Sequence, residues 1–257
     1  MNEPITDIVQ NPFVIEPGTV QRGDKWVRAF SSGELVADSR SPLLVWGHPY
    51  YPEYFFDASD LEVGLRPNGH GPRSKVLGVS ELFDILVGER VLPRAARRYP
   101  EAKVEKLREA FALTWSALDT WMEEDEVVHT HPRSPYVRID ALPSSRHVTV
   151  RLNGEIVAES SRPVVLYETG LAPRYYLPRT DVRMDWLIPT TTTSHCPYKG
   201  TSTYWNVAID GAELIDIAWA YPTPLPESIR IAGLVAFWPE KSDELVVEVD
   251  GQRIGTP

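Results

Sequence analysis

The sequence has one cysteine and lacks both an excess of basic residues and any apolar run long enough to cross a bilayer. A single cysteine cannot form an internal disulfide and excludes a zinc site built from several cysteines. Acidic residues outnumber basic ones, 36 to 26, so the formal net charge is -10. This charge argues against a nucleic-acid partner and against an anionic membrane surface. The N-terminal segment lacks the pattern of a signal peptide, which favours a cytoplasmic location.

The most informative feature present is an internal repeat. Residues 154–182 align with 33–61 at an offset of 121, and residues 195–222 align with 73–100 at an offset of 122, each without a gap. The identical residues of the second copy are Gly154, Glu155, Val157, Ala158, Ser160, Pro163, Pro173, Tyr175, Asp181, Gly200, Ser202, Leu214, Ala218, Tyr221 and Pro222. Two gapless matches in the same order indicate tandem duplication, so the 257 residues predict two domains.

The repeat and the prolines predict the domain boundaries. We expect an irregular lead-in at 1–22, a first domain at 23–128, a linker at 129–143 and a second domain at 144–257. Prolines favour extended backbone at the residues that precede them, so the linker is expected to be extended rather than helical.

Alternating apolar residues predict antiparallel β-structure. The dipeptides Asn153-Gly154, Asp210-Gly211 and Asp250-Gly251 each separate two alternating runs, which is the strongest short signal for a hairpin. The repeat places 82–92 of the first copy opposite the Asp210-Gly211 segment. We therefore predict a hairpin at 82–92, although its apolar spacing also fits a helix.

Helices are predicted at two places only. An apolar stripe at helical spacing predicts a helix over 101–121, and 226–237 is predicted as its shorter equivalent in the second copy. The acidic run 123–126 is interpreted as a solvated face at the end of the first helix rather than as a metal site, because clustered like charges usually face solvent.

The second copy resembles the DUF427 family, a group of small uncharacterised domains. The resemblance is carried by 175–182, by 191–200 with its His195-Cys196-Pro197-Tyr198-Lys199-Gly200 core, and by the segments 204–205, 218–222 and 231–237. It covers the whole second copy. The first copy is similar to a diverged member that keeps Tyr99-Pro100 but has Arg73-Ser74-Lys75-Val76-Leu77-Gly78 in place of that core.

The resemblance implies a fold more than a reaction. It implies a mainly β protein of two tandem β-tent-like antiparallel domains, each with a short helix. Several proteins of this shape hold zinc through paired cysteines, which this chain lacks, so we expect neither a metal nor another cofactor. The family is sometimes labelled nucleotidyltransferase-like, but the sequence has no glycine-rich phosphate loop and no suitable pair of aspartates.

The loop around Cys196 is the candidate catalytic site. Lys199 lies three residues after the cysteine and His195 directly before it, and a nearby cation favours a reactive thiolate. The alternative is a small buried side chain, because lone cysteines are often structural. His195 and Cys196 also face opposite ways if they lie on a strand.

Comparison of the two copies supports a function for this loop. Tyr198 and Lys199 correspond to Val76 and Leu77 in the first copy, which must fold without them; repacking of the first copy is the alternative explanation. Lys199 is expected to stabilise negative charge, with a surface lysine as the alternative.

An aromatic cleft is the candidate binding site. Trp205 alternates with apolar residues and is predicted to lie in the core, whereas Trp219 corresponds to Arg97 and is predicted to line a surface or a pocket. Tyr175, Tyr198 and Tyr221 are candidates to complete the cleft, with a core role as the alternative. Asp181 is a candidate for proton transfer or ligand orientation, but Asp60 matches it, which fits a structural role.

The sequence therefore predicts a cytoplasmic protein whose first domain is degenerate and whose second domain holds a small-molecule pocket around Cys196 and Lys199. A thiol-dependent enzyme with Cys196, Lys199 and His195 as catalytic residues is one hypothesis. The alternative is a non-catalytic module that binds a ligand through Tyr198, Trp219, Tyr175 and Asp181, or one that contacts another protein. The sequence determines neither the reaction nor the oligomeric state.

Overall fold

The computed structural model describes residues 15–209 and 211–255. The chain divides into two compact units between Pro135 and Tyr136. Both units consist mainly of antiparallel strands, so the predicted mainly β fold in two domains is confirmed. In the part of the chain that the structure describes, no helix is long and apolar enough to span a membrane.

The described residues of the first unit form eleven strands in two sheets. The strands are β1 (Val20–Arg22), β2 (Val27–Ser31), β3 (Glu34–Ser39), β4 (Leu43–Val45), β5 (Glu53–Phe56), β6 (Gly64–Ser74), β7 (Gly78–Val87), β8 (Arg90–Arg98), β9 (Phe111–Leu113), β10 (Thr120–Glu123) and β11 (Glu126–Val128). Seven form a sheet in the order β1-β4-β5-β9-β8-β7-β6, and four form a sheet in the order β11-β10-β2-β3. Helix α1 (Glu105–Glu109) and 3₁₀ helices at Ala58–Asp60 and Trp115–Ala117 complete the unit.

The second unit repeats this arrangement strand for strand. Its strands are β12 (Ile139–Pro143), β13 (Val148–Leu152), β14 (Glu155–Ser160), β15 (Val164–Glu168), β16 (Arg174–Tyr176), β17 (Leu187–Cys196), β18 (Gly200–Ile209), β19 (Ala212–Ala220), β20 (Val235–Phe237), β21 (Leu245–Val249) and β22 (Gln252–Ile254). The 3₁₀ helices lie at Arg179–Asp181, Met184–Trp186, Pro226–Ile231 and Pro239–Lys241.

Strand pairing in the second unit reproduces both sheets of the first. The order β14-β13-β21-β22 matches β3-β2-β10-β11, and β12-β15-β16 with β20-β19-β18-β17 matches the seven-stranded sheet. The two parts of the latter meet where Leu177 and Val235 exchange backbone hydrogen bonds of 2.8 and 2.9 Å. The same topology in both units supports the duplication that the sequence indicates.

The predicted hairpins are present. Asn153 and Gly154 connect β13 to β14 with φ of 52° and 90°, and Asp250 and Gly251 connect β21 to β22 with φ of 51° and 78°. Two consecutive positive φ values are what a type I′ turn requires. Strands β18 and β19 pair Ile209 with Ala212, as the third hairpin predicts, although Asp210 itself lies outside the described residues.

The hairpin predicted at 82–92 of the first copy is confirmed. Strands β7 and β8 pair Val87 with Arg90 across a two-residue connection. The alignment with the second copy therefore predicted this segment correctly, whereas its local apolar spacing also fitted a helix.

The helix predicted over 101–121 is wrong for most of its length. Only Glu105–Glu109 is α-helical, and the remainder contains β9, the 3₁₀ helix Trp115–Ala117 and the start of β10. Strand β9 is fully buried and its side chains reach two different core clusters, because the strand lies inside the larger sheet. A strand buried on both faces is continuously apolar, and such a run resembles a helical stripe in sequence.

Two further predictions need correction. In the second copy, 226–237 forms a 3₁₀ helix and strand β20 rather than one helix. The acidic run 123–126 lies at the β10–β11 hairpin instead of at a helix end. The predicted domain boundaries stay predictions: residues 1–14 of the lead-in lie outside the described residues, Val20–Arg22 forms β1, and the end of the predicted linker forms β12.

The core of the second unit lies between its two sheets. Val150 of β13 and Val247 of β21 pack with Val207 of β18 and Phe237 of β20. Trp205 belongs to this cluster and is buried, as predicted. A smaller cluster covers the opposite face of β15, β16, β19 and β20, and it consists of Ala141, Leu166, Tyr176, Tyr221, Ile231 and Ala236. Successive strand residues point to opposite faces, so this second face carries a different set of side chains.

Candidate functional site

A cavity of about 460 Å³ opens beside this smaller cluster. Strands β15, β16, β18 and β19 contribute to it, together with the turn before β18 and the segment after β20. The lining residues are Leu166, Glu168, Leu171, Ala172, Arg174, Tyr176, Lys199, Tyr204, Trp219, Tyr221, Trp238 and Glu240. Five of these side chains are aromatic, and four are charged.

Lys199 and Glu168 form an ion pair in the wall of the cavity. The lysine is held by the tight turn that joins β17 to β18, in which the Lys199 amide donates to the carbonyl of Cys196. Only 11% of the lysine side chain and 9% of the glutamate side chain are exposed. Lys199 is therefore not the surface lysine that the alternative interpretation described.

A second ion pair joins Arg174 of β16 to Glu240. The guanidinium makes two hydrogen bonds of 3.0 and 3.1 Å to the two carboxylate oxygens, which is the bidentate geometry that arginine favours. Its central carbon also lies 5.4 Å from the centre of the Trp219 ring. With two acidic and two basic side chains, the charged groups of the cavity sum to zero formal charge.

The aromatic side chains are held by specific contacts. The Trp219 indole N–H donates to the Tyr176 hydroxyl at 3.3 Å, and the Trp219 ring makes edge-to-face contacts with Tyr176 and Trp238. The Tyr204 hydroxyl lies 2.7 Å from Ser194 Oγ, which lies 2.8 Å from the buried Ser202 Oγ. Burial raises the pKa of Tyr176 and of Tyr221 above the usual tyrosine value, so both phenols are neutral at physiological pH.

The structure brings only some of the predicted residues to the cavity. Lys199 and Trp219 line it. Cys196 does not, but it packs against Tyr176 and Tyr221 in the cluster behind the wall. Tyr198 is buried beside the cavity, and its carbonyl accepts a hydrogen bond of 2.9 Å from Ser228.

His195, Tyr175 and Asp181 lie elsewhere. His195 is exposed, and its Nδ1 lies 2.8 Å from Thr201 Oγ1. Tyr175 points to the opposite face of β16 from Tyr176 and packs on the main core. Asp181 is the last residue of the 3₁₀ helix Arg179–Asp181 and pairs with Arg162 at 2.7 Å. The catalytic and binding roles proposed for these residues stay predictions.

The Asp181 contacts have a measurable consequence. Hydrogen bonds from Arg162, Ser160 and Thr180 lower the pKa of Asp181 well below its usual value, against the opposing effect of burial. A carboxyl group whose pKa falls on folding stabilises the fold above its unfolded pKa, and this stabilisation is lost as the pH falls below about 4. We expect Asp181→Asn to lower the melting temperature at pH 7 by about 2–5 °C.

The same substitution should make acid unfolding less steep. The measurement is the melting temperature of both proteins between pH 7 and pH 2. The difference between them should shrink as the pH falls below about 4, because the aspartate of the unfolded parent chain then takes up a proton that the folded protein does not bind. A constant difference across this range would contradict the assignment.

The first unit carries different side chains at the equivalent positions. The offsets place Arg97 opposite Trp219, Glu53 opposite Arg174, and Phe55 opposite Tyr176. Arg97 pairs with Glu53, and Phe55 is fully buried. Leu77, opposite Lys199, is also buried. The ion pair and the apolar side chains of the first unit thus occupy positions that line the cavity in the second.

Sequence reasoning missed most of the polar wall. The polar and aromatic lining residues that it did not single out are Glu168, Arg174, Tyr176, Tyr204, Trp238 and Glu240. In the alignment of the two copies, Glu168 and Arg174 correspond to Gly47 and Glu53. A position-by-position comparison of charge between the copies would therefore have found these two residues. Glu240 lies outside the gapless matches, so a comparison of charge between the copies could not have identified it.

The comparison with protein families agrees with the duplication. The family model of a domain of unknown function (DUF427) matches residues 19–124 and, a second time, residues 140–248. These matches cover more than half of the chain, which therefore belongs to the DUF427 family and carries two copies of its domain. No curated protein matches the chain.

Proposed function

We propose that the second unit is a small-molecule-binding domain and that the first unit is a diverged copy without this site. The observation that carries the proposal is the cavity beside Trp219, whose volume of about 460 Å³ lies in the range of small-molecule sites. Small-molecule sites usually combine apolar and aromatic walls with a few fixed polar groups, as this cavity does. The replacement of its lining by Arg97, Glu53 and Leu77 in the first unit supports a role beyond folding.

The charges of the cavity favour an uncharged ligand. Each cationic side chain already has an acidic partner: Lys199 has Glu168, and Arg174 has Glu240. A charged ligand would lose its hydration on entry and would have to compete with an existing ion pair. An uncharged planar molecule would instead be bound by contact with the rings of Trp219, Trp238 and Tyr204.

Binding without catalysis is better supported than thiol chemistry. Cys196 packs behind the wall rather than lining the cavity, and the ammonium group of Lys199 is paired with Glu168 instead of standing free beside the thiol. His195, the other candidate for proton transfer, is exposed and hydrogen-bonds to Thr201. In this proposal, Cys196 therefore has a structural role behind the site and takes no part in a reaction.

The proposal includes a cytoplasmic location and the absence of a nucleic-acid partner. A net charge of -10 supports the absence of a nucleic-acid partner, and the single cysteine fits the reducing cytoplasm.

Three aromatic probes of different charge test the proposal. Saturation-transfer NMR with the full chain would compare 2-quinolone, which is uncharged, with 2-naphthoate and phenyltrimethylammonium. We expect 2-quinolone to bind most tightly, because it leaves both ion pairs intact. Ala172 lines the cavity and is exposed, so Ala172→Trp should block it without disturbing the core and should abolish the signal.

The matched control places the same side chain elsewhere on the second unit. Gln252 is exposed on β22 and does not line the cavity, so Gln252→Trp should bind 2-quinolone like the parent protein. Absence of binding by all three probes at millimolar concentration would overturn the proposal. Equal binding by the two tryptophan variants would also overturn it, because the probe would then bind outside the cavity.

A further inference from the structure

The hydroxyl of Tyr221 has an unusual environment. The residue is only 5% exposed and lines the cavity. Its phenol lies near Tyr176, Cys196, Tyr204 and Glu168, and three of these four residues line the same cavity. Among the described residues, none forms a hydrogen bond with this hydroxyl, and it is not one of the fully buried polar atoms that lack a partner, so it is accessible from the cavity.

The first unit places the equivalent tyrosine in a different environment. Tyr99 is also buried, and its hydroxyl lies close enough to the Arg97 guanidinium to raise the pKa of that arginine together with Glu53, against the effect of burial. In the second unit Trp219 stands where Arg97 stands in the first. Tyr221 therefore keeps the hydroxyl but has lost the neighbour that the hydroxyl contacts in the first unit.

Tyr176 contributes a second hydroxyl with a defined direction. The indole N–H of Trp219 can only donate, so the Tyr176 oxygen accepts this hydrogen bond and its own proton points elsewhere. No described residue accepts that proton. The third phenol, Tyr204, differs because Ser194 already contacts its hydroxyl at 2.7 Å. The cavity thus offers two phenolic protons, from Tyr176 and Tyr221.

We infer that these two hydroxyls recognise a hydrogen-bond acceptor of the ligand, and that the ligand is an uncharged planar molecule with a carbonyl-type oxygen. This inference rests on the proposed function, because it assigns the chemistry of a ligand for the same cavity. One carbonyl oxygen has two lone pairs and accepts both protons. A ligand with this oxygen gains the hydrogen bonds of the two hydroxyls, whereas a ligand without it leaves them unpaired when it fills the cavity, which favours the correct ligand.

Two planar probes and a matched pair of variants test the inference. 2-Quinolone carries a ring carbonyl, whereas indole is of similar shape but has no comparable acceptor. Tyr221→Phe removes one donor and keeps the ring, and Tyr99→Phe makes the same change at the equivalent place of the first unit. Affinities for both probes and the melting temperature would be measured for the full-length parent and each variant.

The inference predicts a specific pattern of results. Tyr221→Phe should weaken 2-quinolone binding about three- to tenfold, as expected for one neutral hydrogen bond, and should leave indole binding within about twofold. It should not lower the melting temperature, because the hydroxyl has no partner in the free protein. Tyr99→Phe should leave the affinity for both probes unchanged.

Failure of the inference differs from failure of the proposed function. If the parent protein binds both probes and Tyr221→Phe weakens neither, the donor pair is not used and only the inference is overturned. If Tyr221→Phe lowers the melting temperature without changing probe affinity, the hydroxyl serves the fold, which also overturns it. If the parent protein binds neither probe, the proposed function itself is wrong.

Discussion

Lys199→Leu is expected to destabilise the second unit by about 3 kcal/mol. Both members of the Lys199–Glu168 pair are almost completely buried, so removal of the lysine leaves a carboxylate without its counter-charge inside the protein. Breaking a buried ion pair from one side costs about 3–5 kcal/mol. Leucine is the residue at the equivalent position of the first unit, so the side chain itself is compatible with the fold. Denaturant unfolding followed by tryptophan fluorescence would measure the effect.

A double variant separates the lost charge from lost packing. Lys199→Leu combined with Glu168→Gln removes both charges and should recover most of the lost stability. Arg183→Gln breaks the exposed pair with Asp185 and should leave unfolding almost unchanged, as exposed pairs contribute little. A loss for Lys199→Leu no larger than that for Arg183→Gln would show that the pair is not buried as described.

Trp219→Leu is expected to weaken binding of 2-quinolone at least about tenfold. The Trp219 ring lines the cavity and contacts Tyr176 and Trp238 edge to face, and its N–H sets the direction of the Tyr176 hydroxyl. Aromatic side chains at the centre of a binding site often contribute more than about 2 kcal/mol, which corresponds to more than tenfold in affinity. Titration calorimetry with the parent protein and the variant would measure the difference.

The matched control removes a tryptophan that lies outside the cavity. Trp186 is partly buried against the main core of the second unit and is stacked by Arg183 at 4.0 Å. Trp186→Leu should change the affinity for 2-quinolone by less than about twofold, although it removes as much aromatic surface. If both variants lose affinity equally, the effect arises from the fold and the assignment of Trp219 to the site is wrong.

The features that could be predicted are those that depend on neighbours in sequence. Asn153-Gly154 and Asp250-Gly251 form their hairpins because both positions of the turn need positive φ, which these residue types tolerate. The duplication predicted the hairpin of β7 and β8 where local spacing also fitted a helix. The comparison did not correct the helix predicted around Phe111–Leu113, because this segment and Val235–Phe237 lie outside the gapless matches and both were predicted as helical, although they pair with β8 and β19 respectively.

The site could be predicted only in part, because its residues meet through pairing of distant strands. Lys199 was singled out for the turn that contains it, but its partner Glu168 lies at the end of β15, 31 residues away. Tyr175 and Tyr176 illustrate a different limit. They are neighbours on one short strand, and only the sheet decides that Tyr176 faces the cavity while Tyr175 faces the core. Sequence alone gave no reason to prefer Tyr176.

Protein-observed NMR of the tryptophan side chains would test the central claim most directly. The full chain has eight tryptophans, and ¹⁵N labelling of their indole groups gives one N–H signal for each, assigned by single substitutions. During titration with 2-quinolone, the signals of Trp219 and Trp238 should shift together and saturate, while those of Trp186 and of the first-unit residue Trp115 stay in place. Shifts confined to other tryptophans, or none at saturating probe, would contradict a ligand site in this cavity.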